Sequence, residues 1–73
     1  MEYYMKLDKI YEDSTCEEFN IFINDEFVGY YVYFKQHKTF ELYYNLDGRN
    51  SSEFDASIQG DTLEECLEFA DLV

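Results

Sequence analysis

Hydrophobic and polar residues alternate through the middle of this chain in the pattern that predicts β-strands. Phe19, Ile21 and Ile23 occupy alternate positions, the run 27–34 is apolar or aromatic on both faces, and the run 39–46 alternates again. Successive side chains of a strand point to opposite faces, and a run that is apolar on both faces is typical of a central strand. Polar turns separate the three runs, so this region predicts an antiparallel meander.

The central run distributes its large side chains to both faces of the predicted sheet. Gly29 interrupts it and indicates either a β-bulge or a close approach of neighbouring backbone. Strict alternation assigns to one face Phe27, Tyr31 and Tyr33, and to the other Val28, Tyr30, Val32 and Phe34. In the next run, the positions opposite the apolar side are Glu41, Tyr43 and Asn45.

The C-terminal segment carries the signals of a helix. Thr62, followed three residues later by Glu65, fits a capping box that closes the first turn. The apolar positions at helical spacing form one stripe of the helix, which consists of Leu63, Cys66, Leu67 and Ala70. Phe69 and Leu72 fall outside this stripe, where they would wrap a sheet edge or contact a partner.

Two other segments give weaker signals. After the turn at Asp47 and Gly48 and a polar loop at 49–52, residues 53–59 alternate and predict a short fourth strand. The first 18 residues alternate as a strand at their start, although their apolar positions also fit one face of a helix. The strand is the favoured interpretation, with residues 12–18 as an acidic loop or short turn before the meander.

Length and composition indicate one domain, residues 1–73. A chain of this size buries only about 60% of the surface that its unfolded form exposes, so there is room for one sheet and one or two helices. The hydrophobic content of 47% is far from the composition of disordered chains. The predicted fold class is α+β, with an antiparallel three- to four-stranded sheet, in meander order, packed on a C-terminal helix.

The charge balance constrains the partners. Seventeen Asp and Glu residues against five Lys and Arg give a net charge of -12. A field of that sign repels phosphate backbones and anionic lipids, which disfavours direct binding to nucleic acid or a membrane, and it favours basic protein partners. The alternative is that the acidity only keeps an aromatic-rich protein soluble. With no apolar run long enough to span a bilayer and no signal-peptide pattern, a cytoplasmic location is expected.

Residues that could support catalysis are few. The sole histidine, His37, lies in a lysine-rich predicted turn, where a shielded site with a tuned pKa is not expected. Cys16 and Cys66 lack the spacing of redox or zinc motifs and are interpreted as free thiols. No stretch matches a calcium-binding loop or a Gly-rich phosphate loop. The sequence therefore predicts a protein that is not an enzyme, with no cofactor and no metal site.

One helix can cover only one face of a small sheet, so we expect another segment or another molecule to cover the second face. Tyrosines give broad contact area at low entropy cost, which favours a partner-binding surface of aromatic rings bordered by carboxylates. Two alternatives stay open: the N-terminal segment packs across this face, or two copies of the chain dimerise through it. The candidate contact residues are Asp13, Glu17, Glu18, Asp25, Glu26, Tyr30, Tyr43, Asp55, Asp61, Glu64, Glu65, Glu68 and Asp71.

Two resemblances bear on function. The segment Ile58–Ala70, which reads IQGDTLEECLEFA, looks like the strand-to-helix junction of HicB-type antitoxins. In size, acidity and lack of a catalytic motif, the whole chain is similar to phage-encoded inhibitors, including DNA mimics and anti-CRISPR proteins. Both resemblances imply an acidic domain that occupies the nucleic-acid site of a basic enzyme.

These observations favour a stoichiometric inhibitor of a basic nucleic-acid-processing protein, such as a CRISPR effector or a nuclease. If the chain is phage-encoded, it would act in the cytoplasm of the bacterial host. Two alternatives come from the same observations: a HicB-like antitoxin that neutralises an RNase toxin, and a self-associating structural module without an inhibitory role.

Overall fold

The computed structural model describes residues 3–48 and 53–73, which form one antiparallel sheet and one helix. The sheet is a meander in which each strand pairs with the next along the chain. The α+β prediction is confirmed, with five strands in place of three to four. The elements are β1 (Met5–Glu12), β2 (Cys16–Ile23), β3 (Glu26–Phe34), β4 (Thr39–Tyr44), β5 (Ala56–Gly60) and α1 (Leu63–Phe69). The polar loop predicted at 49–52 lies outside the described residues.

The additional strand is β1, which confirms the strand interpretation of the N-terminal segment. The acidic loop or short turn predicted over 12–18 is a short connection at 13–15, because β1 extends to Glu12 and β2 begins at Cys16. Asp13 makes this possible, since its Oδ1 atom accepts hydrogen bonds from the backbone N–H groups of Thr15 and Cys16, at 2.8 and 2.9 Å. That short side-chain cap closes the connection and leaves the acidic residues after it free to pair in the sheet.

The β2–β3 hairpin turns through two residues. Asn24 and Asp25 have φ angles of 52° and 68°, the left-handed conformation that a two-residue hairpin loop of type I′ requires. Asn and Asp tolerate this conformation better than other residues with a Cβ atom. The polar residues predicted to form this turn are therefore also residues that suit its left-handed backbone conformation.

The core lies between α1 and one face of the sheet. Ile21, Leu42, Cys66 and Leu67 are fully buried there, and α1 rests on β4 and β5. The predicted helix stripe is thus confirmed, and the Thr62 side chain accepts a hydrogen bond from the Glu65 N–H at 3.1 Å.

The two positions outside that stripe have different environments. Leu72 packs against the core from beyond the end of α1, whereas Phe69 is 70% exposed on the helix surface. Of the two, Leu72 is partly buried and Phe69 is mostly exposed.

A β-bulge in β3 corrects the predicted faces of the central strand. Ile21 of β2 pairs with Gly29 and the next residue, Phe22, pairs with Phe27, so Val28 is the extra residue. Because one added residue reverses the alternation beyond it, Phe27 lies on the face opposite to the one predicted. Val28 correspondingly packs against the core. The bulge and close approach indicated by Gly29 are both present, since a Cβ atom there would overlap the Tyr43 carbonyl.

Candidate functional site

The candidate site is the sheet face opposite α1, which we call the open face. Strand β1 lies in the plane of the sheet beside β2, so the N-terminal segment does not pack across this face. Among residues 3–48 and 53–73, Phe54 is the one side chain from outside the strands found in its ring contacts. The apolar and aromatic side chains on the open face are Phe22, Phe27, Tyr30, Val32, Phe34 and Tyr43.

Aromatic rings form a continuous row across this face. Tyr30 and Tyr43 stack on neighbouring strands, with 5.0 Å between their ring centroids and 14° between their planes. Phe54 lies 5.5 Å from Tyr30 and 6.0 Å from Phe27, and Phe27 lies 5.7 Å from Phe22. Each such pair stabilises the structure by about 0.5–1.5 kcal/mol beyond its buried area. The row is therefore a rigid, half-buried platform.

Two carboxylates flank this platform in the register of the sheet. Val32 pairs with Glu18 of β2 on one side and with Glu41 of β4 on the other. Val32 is only 8% exposed, so its side chain separates the two glutamates without itself reaching solvent. Since neighbouring strands lie about 4.8 Å apart, the backbones that carry the two carboxylates are separated by roughly 10 Å.

Hydrogen bonds hold Glu41 in place. The Tyr43 hydroxyl donates to its Oε1 atom, and Nε2 of Gln59 donates to its Oε2 atom at 3.1 Å. The hydrogen bond to Glu41, and then burial, raise the pKa of Tyr43 to about 12. Burial, followed by repulsion from Glu18 and Glu41, also raises the pKa of Tyr30. Both hydroxyls are protonated at neutral pH, and that of Tyr43 is held against the Glu41 carboxylate.

Of the residues predicted from the sequence, the structure brings Glu18, Tyr30 and Tyr43 together on the open face. Glu17 points to the opposite face, where its carboxylate pairs with Lys9 Nζ at 3.1 Å. The predicted residues of α1 and its flanking turns also lie on that opposite side of the sheet; they are Asp61, Glu64, Glu65, Glu68 and Asp71.

The remaining predicted carboxylates lie in or beside turns, and two of them accept hydrogen bonds from backbone N–H groups. Asp13 caps the β1–β2 connection, and Asp55 accepts a hydrogen bond from the Leu46 N–H at 2.9 Å. Asp25 lies in the β2–β3 turn, and Glu26 begins β3 directly after it. The acidic residues therefore occupy both sides of the sheet and its ends, and do not form one surface with Tyr30 and Tyr43.

Sequence reasoning missed several residues of the open face. The signal for Glu41 was present, because alternation along 39–46 places it beside Tyr43. Strict alternation predicts the wrong face for Phe27, because it does not account for the bulge. Alternation along 19–23 also places Phe22 on the face opposite Ile21 and Ile23, whereas Phe54 reaches this face by packing against Phe27 and Tyr30, for which the sequence has no local signal.

The chemistry available elsewhere is limited. His37 is exposed in the β3–β4 turn, and Cys16 and Cys66 are free. Burial is the main cause that raises the pKa of both thiols, which disfavours the nucleophilic thiolate. In the part of the chain that the structure describes, no three His, Cys, Asp or Glu side chains are grouped so that they could hold a metal ion.

Comparison with known proteins found no match. The chain matches no protein-family model, no curated protein and no solved structure. Within residues 3–48 and 53–73, α1 is the one helix, and its seven residues are too few to cross a bilayer.

Proposed function

We propose that this protein binds a basic nucleic-acid-processing protein and inhibits it stoichiometrically, with the open face as the contact surface. The observation that carries the proposal is the aromatic platform flanked by Glu18 and Glu41. An apolar aromatic centre with charges at its border is the composition of a recognition surface, in which a few aromatic residues supply most of the binding energy.

The aromatic anchor consists of Tyr30 and Tyr43. Their stacked rings are already ordered, so docking would cost little side-chain entropy. The Tyr43 hydroxyl donates its one hydrogen to Glu41 and can accept a hydrogen bond from a partner, whereas the Tyr30 hydroxyl can donate one to a partner or to a bridging water. The platform therefore combines apolar contact area with polar groups at its rim.

The acidic border supplies charge complementarity. A basic cleft that normally holds a phosphate backbone would meet Glu18 and Glu41 as two spaced anions, and the net charge of -12 would accelerate the encounter. The similarity in type to phage-encoded inhibitors directs the proposal to bacterial CRISPR effectors and nucleases. A ribonuclease toxin, the target that the antitoxin resemblance implies, belongs to the same basic class.

A pull-down from bacterial lysate, with and without nuclease treatment, would identify the target. The proposal expects a basic nucleic-acid-binding protein to be captured, with more captured after nuclease treatment because nucleic acid competes for the same cleft. Capture of no such protein under either condition would contradict the proposal.

A matched pair of double variants then tests the surface. Glu18→Gln with Glu41→Gln removes two charges from the open face, and Glu64→Gln with Glu68→Gln removes two charges from α1. Displacement of a fluorescent DNA duplex from the captured protein is the measurement. The first variant should weaken binding at least tenfold, which corresponds to about 1.4 kcal/mol, and the second by less than twofold.

Two further measurements distinguish the anchor from the charges. Tyr30→Ala should weaken binding by more than about 1 kcal/mol, as expected for an anchor at the centre of an interface. Wild-type affinity should fall between 50 mM and 0.5 M salt, because exposed charges are screened at high ionic strength. Equal loss from both glutamine variants, or affinity that does not depend on salt, would exclude the open face as an electrostatic mimic.

A further inference from the structure

Strand β1 is an edge strand that pairs with β2 alone among the described strands. Its backbone orientation is set at Tyr4, whose carbonyl accepts from the Asn24 N–H at 2.8 Å and whose N–H donates to Asn24 Oδ1 at 3.0 Å. Backbone groups alternate in direction along a strand, so those of Lys6 and Asp8 also face β2. The outward N–H and C=O groups are consequently those of Met5, Leu7 and Lys9.

A bulge limits the length of this free edge. The register of β1 against β2 shifts between Lys9 and Tyr11, so the regular stretch after Tyr4 ends at Lys9. The stretch Met5–Lys9 is centred on Leu7, whose backbone groups point outward. A two-fold axis beside Leu7 would therefore pair this stretch with itself along its whole length.

We propose that β1 pairs antiparallel with β1 of a second copy of this chain, around a two-fold axis at Leu7. Leu7 would face Leu7 of the second copy, and Met5 would face Lys9 of the second copy, as hydrogen-bonded pairs. Lys6 would face Asp8 of the second copy as a non-hydrogen-bonded pair, in which side chains approach most closely. The result is one continuous sheet through both copies, joined without any covering of the open face.

Charge complementarity selects this register. Pairing must keep outward residues opposite outward residues, so alternative registers differ by two residues. A shift one way places Lys6 opposite Lys6 of the second copy, and a shift the other way places Asp8 opposite Asp8. Both arrangements oppose like charges, which destabilises a cross-strand pair. Charged side chains on an edge strand normally prevent it from pairing with another strand. Here they are complementary to β1 of a second copy in one register.

The overall charge is also compatible with pairing at this edge. Two lysines, Lys6 and Lys9, balance Asp8 and Glu12 within β1, so the strand contributes nothing to the net charge of -12. Leu7 adds apolar area, since it is 39% exposed on the core side of the sheet while α1 covers only β4 and β5. Pairing would bring two such leucines into contact.

Sedimentation equilibrium at micromolar to millimolar concentration tests the proposal on the intact chain. The wild type should reach twice the 8.8 kDa mass of one chain. Added salt should promote dimerisation, because it screens the repulsion between two strongly acidic bodies. This salt dependence is opposite to that of the proposed target binding, so each proposal can fail without the other.

Charge-swap variants identify the contact. Lys6→Asp alone and Asp8→Lys alone should each sediment as single chains, because each places like charges opposite one another. An equal mixture of these two variants should form heterodimers, and the double variant should dimerise as the wild type does. Both recoveries depend on residues 6 and 8 facing each other across the interface.

A backbone variant gives a second test. Leu7→Pro removes an outward N–H that makes no bond to β2, so circular dichroism should show a folded protein that sediments as a single chain. A wild type of single-chain mass at all salt concentrations would overturn the proposal. So would a dimer that survives Lys6→Asp and Asp8→Lys but is lost with Tyr30→Ala, since that result places the contact on the open face.

Discussion

Gly29 of β3 lies so close to the backbone carbonyl of Tyr43 on β4 that a Cβ atom at position 29 would overlap the carbonyl oxygen. The neighbouring strand cannot yield easily, because the obstructing atom belongs to its backbone. Gly29→Ala should therefore destabilise the fold by about 1–3 kcal/mol or more, measured by urea unfolding. As a control, Gly48→Asn should cost less, because position 48 has open space around it and Asn tolerates its φ of 78°.

The N-terminal cap of α1 gives a second prediction. The Thr62 hydroxyl accepts from the Glu65 N–H, so Thr62→Ala should lower the free energy of unfolding by about 1 kcal/mol. Thr62→Ser keeps the hydroxyl and should lose little. Equal losses from the two variants in urea unfolding would show that the hydroxyl does not stabilise the helix.

Alkaline titration tests the environment of Tyr43. Its pKa is raised to about 12, mainly by the hydrogen bond to Glu41, whereas burial is the main cause that raises the pKa of Tyr31 to about 12. Followed by tyrosinate absorbance, Glu41→Ala should shift one late transition to lower pH and leave the transition of Tyr31 in place. No shift in either transition would contradict the hydrogen bond to Glu41.

The same pKa values predict how stability changes in alkali. Tyr31 and Tyr43 hold their protons more tightly in the folded state than at the ordinary value of 10.0. Their contribution is complete below pH 10 and is lost as the pH rises through about 12. The free energy of unfolding should therefore decrease between pH 10 and 12, and it should decrease less steeply in Tyr43→Phe.

Asp13 gives the opposite dependence on pH. Its pKa is held well below 3.8, first by the Tyr11 hydroxyl and then by hydrogen bonds from Thr15 and Cys16. A carboxylate with a lowered pKa stabilises the folded state above its ordinary pKa and loses that effect as the pH falls. Asp13→Ala should lower the urea midpoint at pH 7, and its difference from the wild type should shrink below pH 3.8. Asp13→Asn, which keeps an acceptor oxygen, should lose less at pH 7.

Much of the fold could be predicted because its signals are local. Alternation identifies β2, β3 and β4, and the spacing around Cys66 identifies the buried side of α1. Thr62 marks the start of that helix through chemistry confined to one turn. The charge of the acidic segment 12–18 indicates a loop or short turn along its length, whereas strand pairing and the Asp13 cap confine the connection to 13–15 and hold the rest in the sheet.

The sequence by itself determined the α+β class, the central meander, the helix and the two faces of each regular strand, because alternation, helical spacing and short polar turns are local signals. Only the tertiary structure decided that Phe27 joins Tyr30 on the open face, since the position of a bulge depends on the pairing of β3 with β2. It also decided that Glu18 lies beside the platform while Glu68 lies across the sheet. Spacing along the chain orients side chains within an element, but the packing of elements determines which of those side chains meet.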